Sequence, residues 1–62
     1  MYNICDDVYM VCYWNSDESK LEIYDFNISS FNVALEEADD CKKEKKILEQ
    51  KIYIIKHKYI HL

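Results

Sequence analysis

Sixty-two residues contain neither glycine nor proline, and that absence limits the chain more than any motif within it. Glycine supplies positive φ at tight turns and helix ends, and proline stops helices and strands. A phosphate-cradling glycine loop, a dinucleotide-binding fingerprint and a glycine-shaped oxyanion loop are all excluded. Elements must instead be delimited by Asn, Asp and Ser. Arginine and threonine are absent too, which removes the side chain best suited to clamping a carboxylate or reading guanine.

Within those limits the N-terminal half reads as a β-hairpin. Val8 to Trp14 (VYMVCYW) is dense in β-branched and aromatic residues, the composition of a strand. Val8, Met10, Cys12 and Trp14 share one face, and Tyr9, Val11 and Tyr13 share the other. Both faces are apolar, so the strand is expected inside a sheet or against a partner. Asn15 to Ser19 is a polar turn without glycine, which suits a loop of four or five residues better than a two-residue one. Lys20 to Phe26 then alternates, with Leu21 and Ile23 opposite Glu22, Tyr24 and Phe26. Tyr2 to Cys5 is a candidate for a short extra strand.

After Asn27-Ile28-Ser29-Ser30, where a serine is a favoured helix N-cap, no breaker follows before residue 62. The reading is therefore α+β: one domain over 1–62, with a hairpin region over 1–28 and one long amphipathic helix over 29–62. A heptad grid supports that helix. The series Phe31, Ala34, Ala38, Cys41, Lys45, Leu48, Ile52, Ile55, Tyr59, Leu62 is apolar except at Lys45, and the outward positions are polar except Leu35. Glu36, Glu37, Asp39 and Asp40 lie early and Lys56, His57, Lys58 and His61 late, as the helix dipole favours. A break near Asp39-Asp40 is the alternative.

Such a helix would span about 45 Å, whereas a compact chain of this length has a radius of gyration near 11 Å. One apolar end must overhang, so a homodimer is expected, with Leu48, Ile52, Ile55, Tyr59 and Leu62 at the interface. Antiparallel pairing is favoured. It brings Glu37 toward Lys56 and Glu36 toward His57, and it keeps Lys45 away from its own copy.

The chemistry-bearing residues form no catalytic or metal constellation. His57 and His61 are four apart, and the order Cys5, Cys12, His57, His61 is that of a zinc module. However, six residues separate the cysteines and forty-four separate Cys12 from His57, so no metal and no cofactor are expected. Three cysteines do not suggest a disulfide scaffold, and Cys12 and Cys41 read as buried apolar residues. No serine, cysteine or lysine stands beside a recognisable base, so enzymatic activity is not expected. The longest apolar run, Val8 to Trp14, is too short to cross a bilayer, and the acidic start argues against a signal peptide. A cytoplasmic protein is expected, in the host cell if the chain is viral.

Charge is divided unequally. Residues 1–40 hold ten acids and one lysine, a net of −9, and residues 41–62 hold seven lysines and two acids, a net of +5. Asp17, Glu18, Glu36, Glu37, Asp39 and Asp40 are candidates for an acidic partner-binding surface that imitates nucleic-acid phosphates; the competing reading is a surface kept soluble by its charge. The basic half lacks arginine, so direct nucleic-acid binding is not expected. Thirty residues have AT-rich codons and only Ala34 and Ala38 have GC-rich ones, the bias of low-GC bacteria and many phages and mobile elements. The expectation is a small non-enzymatic inhibitor that binds a host defence or nucleic-acid-processing protein. The alternative is a structural or regulatory subunit, antitoxin-like or a coiled-coil adaptor, that works by oligomerising.

Overall fold

The computed structural model describes the backbone of residues 5–60 and the side chains of 7–58. Its elements run β1 (Cys5–Asn15), β2 (Lys20–Ile28), α1 (Phe31–Lys45), one short 3-10 turn (Glu49–Lys51) and β3 (Ile52–Ile60). The three strands form one sheet in the order β2-β1-β3, and both pairings are antiparallel. The fold is thus α+β, with the two-faced apolar strand β1 at its centre. Residues 2–4 of the candidate extra strand lie outside the described residues, and Cys5 opens β1.

The hairpin forms as its polar turn dictates. Asn15 accepts hydrogen bonds at Oδ1 from the backbone N–H groups of Asp17 (3.0 Å) and Glu18 (3.2 Å), so the side chain closes the turn that a glycine would otherwise close. Its Nδ2 donates to Glu22 Oε2 at 2.6 Å, tying the two strands together beside the turn. Ser19 takes φ 54° where β2 begins. Further along, Tyr9 pairs with Ile28, Val11 with Asp25 and Cys12 with Ile23. β2 therefore carries two extra residues there, and this bulge ends the simple alternation read from Lys20 to Phe26.

The helix starts as expected and ends early. The Ser30 side chain accepts from the Val33 N–H at 3.5 Å, and α1 then runs unbroken through Asp39-Asp40. It closes at Lys46, which sits in the left-handed region at φ 57° and ψ 47°. The N–H groups of Lys46 and Ile47 both donate to the Lys42 carbonyl, and Ile47 packs back against the core that contains Cys41. This is a Schellman closure built on lysine instead of glycine.

The expected helix over 29–62 is therefore corrected. Its second half is β3, and the heptad seam does not exist as a surface. Six of the nine residues in Ile52–Ile60 are Ile or Tyr, which favours a pleated strand. β1 also presents a row of free backbone N–H and C=O groups on the side away from β2, and nine residues of β3 pair with it in unbroken register from Cys5↔Ile60 to Tyr13↔Ile52. Ladder bonds to a central strand outweigh a helix extension whose apolar stripe would have faced water.

The core lies between the sheet and α1. Val11, Ile28, Ala34 and Cys41 are its buried centre, with Tyr9, Tyr13, Tyr24, Ala38, Ile47, Ile52 and Ile54 packed around them. Rings and charges fix the helix at both ends: Tyr9 and Phe31 meet at 5.5 Å between centroids, and Lys45 Nζ stands 5.5 Å from the Tyr13 ring centroid. Asp7 and Lys58, cross-strand partners, form an ion pair at 2.7 Å.

The lysine at the helix end yields a prediction. A non-glycine residue in the left-handed region costs about 1–2 kcal/mol, partly offset by the greater freedom of an unfolded glycine. Lys46→Gly is expected to raise stability by about 0.5–1 kcal/mol. Urea denaturation followed by circular dichroism checks it, and an unchanged or lowered midpoint would contradict the assigned helix end.

Candidate interaction surfaces

The most consequential surface is the side of the sheet that α1 leaves uncovered. Side chains alternate along a strand, so Tyr9, Val11, Tyr13, Ile52 and Ile54 face the helix while Val8, Met10, Cys12 and Trp14 face the other way. Paired residues extend that second face on both flanks: Ile23 and Leu21 from β2, and Tyr53, Ile55 and His57 from β3. Leu21 is 49% exposed, Ile23 60%, Tyr53 45% and Ile55 38%. Val8 and Cys12, on the central strand, are buried between these larger neighbours. Among the described side chains this face carries no Asp, Glu or Lys, and its one histidine, His57, lies at a margin. A contiguous apolar patch of that kind is a candidate interaction surface.

A second apolar feature is an open groove of about 830 Å³ between α1 and β3. Phe31, Leu35 and Ala38 form one wall and Ile52 and Ile54 the other, with Asp39, Lys42, Glu49 and Gln50 on the rim. The 3.8 Å contact between Lys42 and Glu49 spans that rim.

The third feature is electrostatic. Asp25, Glu36, Glu37 and Asp40 form no ion pair among the described residues, whereas Asp39 is paired with Lys43 at 3.0 Å and Glu18 with Lys20 at 3.1 Å. Partial burial, followed by the charges of Asp25, Asp40 and Glu36, pushes the Glu37 carboxyl above its ordinary value. Glu37 and Asp40, three apart on α1, thus share a side of the helix within reach of the Asp25 charge on β2, and with Glu36 they form an acidic ridge. Tyr24 extends it by donating to Glu44 Oε1 at 2.8 Å. This bond, partial desolvation and the nearby carboxylates push the Tyr24 phenol up to about 12.

The expected site residues thus fall in different places. Leu48 is in the connection after α1 and 63% exposed. Ile52 faces the helix and Ile55 faces the open side, so they share no interface. Tyr59 lies in the β3 backbone, pairing with Asp6, and Leu62 lies outside the described residues. The antiparallel helix pairing of Glu37 with Lys56 and Glu36 with His57 falls with the long helix, because Lys56 and His57 are in β3. Of the six acids, Glu36, Glu37 and Asp40 belong to the ridge. Asp39 is on the groove rim, and Asp17 and Glu18 are on the hairpin turn. Asp25, Tyr24 and Glu44 were missed, and the bulge that aims Asp25 at the helix left no local signal.

Cys12 and Cys41 are free and buried, and burial raises both thiols above their ordinary value. Such thiols are poor nucleophiles. His57 sits in a strand, and His61 lies outside the described residues. No group of three or more His, Cys, Asp or Glu that could hold a metal occurs among the described residues. None of the described helices is long and apolar enough to cross a membrane.

Fold and surface together define a small α+β protein with one helix on one face of a three-stranded antiparallel sheet. No family model, curated protein or solved structure matches the chain.

The ridge has a measurable consequence. A carboxyl whose folded pKa is raised stabilises the fold below its unfolded pKa, and that contribution is lost as pH rises through the folded value. At pH 7 ionised Glu37 therefore opposes folding. Glu37→Gln is expected to raise the thermal midpoint at pH 7, with the gain shrinking to nothing below about pH 4, where the native carboxyl is itself protonated. An equal gain at both pH values would rule out charge as its origin.

Proposed function

We propose that the chain is a small non-enzymatic inhibitor that works as a homodimer by binding another protein. The observation that carries the protein-binding reading is the uncovered apolar sheet face. The core beneath the helix is slight: among the described residues its buried centre is Val11, Ile28, Ala34 and Cys41, none larger than isoleucine. A chain this small gains little from its own interior, so exposing a second apolar surface makes physical sense when a partner covers it.

The acidic ridge is the surface offered to the target. Asp25, Glu36, Glu37 and Asp40 suit a basic groove shaped for nucleic-acid phosphates, and unpaired acid on such a groove blocks it by charge complementarity. A host defence or nucleic-acid-processing protein has that kind of groove. The AT-rich coding bias, the small size and the net charge of −4 suit a protein encoded by a phage or mobile element and acting in the host cytoplasm.

The test uses the immobilised chain to capture protein from a lysate of a low-GC bacterium at several salt concentrations. One dominant protein should be retained near 0.1 M salt and released as screening shortens the Debye length to about 3 Å at 1 M. The triple variant Glu36→Lys, Glu37→Lys, Asp40→Lys should lower capture at least tenfold while keeping its far-ultraviolet circular dichroism. Equal capture by the folded triple variant would overturn the acidic-surface reading.

A further inference from the structure

We infer that the occupant of the open sheet face is a second copy of this chain, so that two sheets stack face to face and the two helices lie on the outside. This inference rests on the protein-binding reading of the face and names its partner.

The first argument is chemical. The face formed by Val8, Met10, Cys12, Trp14, Ile23 and Ile55, with Leu21 and Tyr53, has no carboxylate or lysine among the described residues. Its partner must present an equally uncharged, apolar surface, because a buried unpaired charge is strongly disfavoured. An identical face meets that requirement without further assumption. Two copies of one twisted sheet also share the same hand, so they stack at the usual aligned angle of about −30° as an isologous pair.

The second argument is electrostatic. A chain of net charge −4 repels its own copy, and the repulsion is worst if the acidic ridges approach. The ridge lies on the helix side, opposite the open face. Stacked layers are about 10 Å apart, so two helix layers separated by two sheets stand roughly 30 Å apart, more than three Debye lengths at physiological salt. Self-contact through the sheet is the arrangement that keeps acid farthest from acid.

The third argument is one of area. A compact monomer of 7.5 kDa exposes about 4,250 Å², whereas this chain exposes 4690 Å². Its radius of gyration is 13.1 Å against about 10.6 Å expected for its length. Three strands about 4.8 Å apart, apolar over seven residues of about 3.3 Å each, make a flat patch of roughly 14 by 23 Å. Two such faces with their side-chain relief bury on the order of 1,000 Å², the lower bound for a specific contact. That size suits a micromolar dimer. The sheet edges are poor alternatives: β2 is bulged and carries Lys20, Glu22 and Asp25, and β3 carries Lys56 and Lys58, features that discourage edge pairing.

Sedimentation equilibrium on the full chain tests the inference. A mass near twice the 7.5 kDa of one chain is expected at tens of micromolar. Ile23→Lys and Ile55→Lys, each at a position already exposed in the monomer, should raise the dimer Kd at least tenfold with unchanged circular dichroism. Leu35→Lys, in the groove on the other side, should leave the dimer intact. A single-chain mass at all concentrations, or a dimer lost with Leu35→Lys and insensitive to Ile23→Lys, overturns the inference. A monomer that still captures a target through the open face, as judged by loss of capture in Ile23→Lys, overturns self-pairing but leaves the protein-binding reading standing. A dimer of the expected kind that captures nothing does the reverse.

Discussion

The structure depends on β1 being apolar on both faces and paired on both edges. A strand in that position has to sit at the centre of its sheet, because any edge place would leave half its backbone polar groups to water. β2 reaches one edge through a short turn. The other edge can be filled only by a segment that returns from the far end of the chain, and α1 provides the return. The fifteen residues of Phe31–Lys45 span about 22 Å at 1.5 Å per residue, close to the length of the apolar part of β1. The helix thus carries the chain back along the sheet while covering one of its faces.

The hairpin was legible because its signals are local. A dense β-branched and aromatic run, an Asn-led polar turn and an alternating second strand all lie within a few residues of what they determine. Ser30 was equally visible as a cap. The third strand was not, and the reason is specific. Ile52, Tyr53, Ile54 and Ile55 are consecutive apolar residues, so any periodicity laid over them finds an apolar match, the 3-and-4 spacing of a helix included. What distinguishes a strand there is the edge of β1, far earlier in the chain, where Ile52 pairs with Tyr13 and Ile55 with Met10. A compositional clue was present: Ile52–Ile60 has the same β-branched and aromatic density that marked β1. The absence of glycine hid the boundary, because the left-handed closure at the end of α1 falls on Lys46, a residue type that normally reads as helix.

The open sheet face was half legible. The two apolar faces of Val8 to Trp14 already implied a layer on each side, and α1 accounts for one of them. The acid ridge was only partly legible. Glu36, Glu37 and Asp40 recur with helical spacing, so their common side of α1 follows from the helix itself. Asp25 joins them only because one extra residue in β2, between Ile23 and Asp25, turns it toward α1, and Tyr24 reaches Glu44 across a sequence gap of twenty residues. Bulges and cross-element hydrogen bonds have no local periodicity from which to read them.

The acid ridge lies on the helix side of a thin molecule and the open sheet face on the other, and this division follows from the sheet's place in the fold. In a two-layer domain the helix's outer side is the natural place for charge, since nothing else can cover it. The outer side of the sheet is ordinarily made polar by the same logic, with alternate residues of each strand turned to water. Here β1 breaks that alternation from Val8 to Trp14, and its neighbours in β2 and β3 break it too. Covering that face would turn a single marginal core into two, one under α1 and one between the sheets. Each would be too small alone to hold a chain of this length with a wide margin. Together they would couple folding to association, so that stability rises with protein concentration.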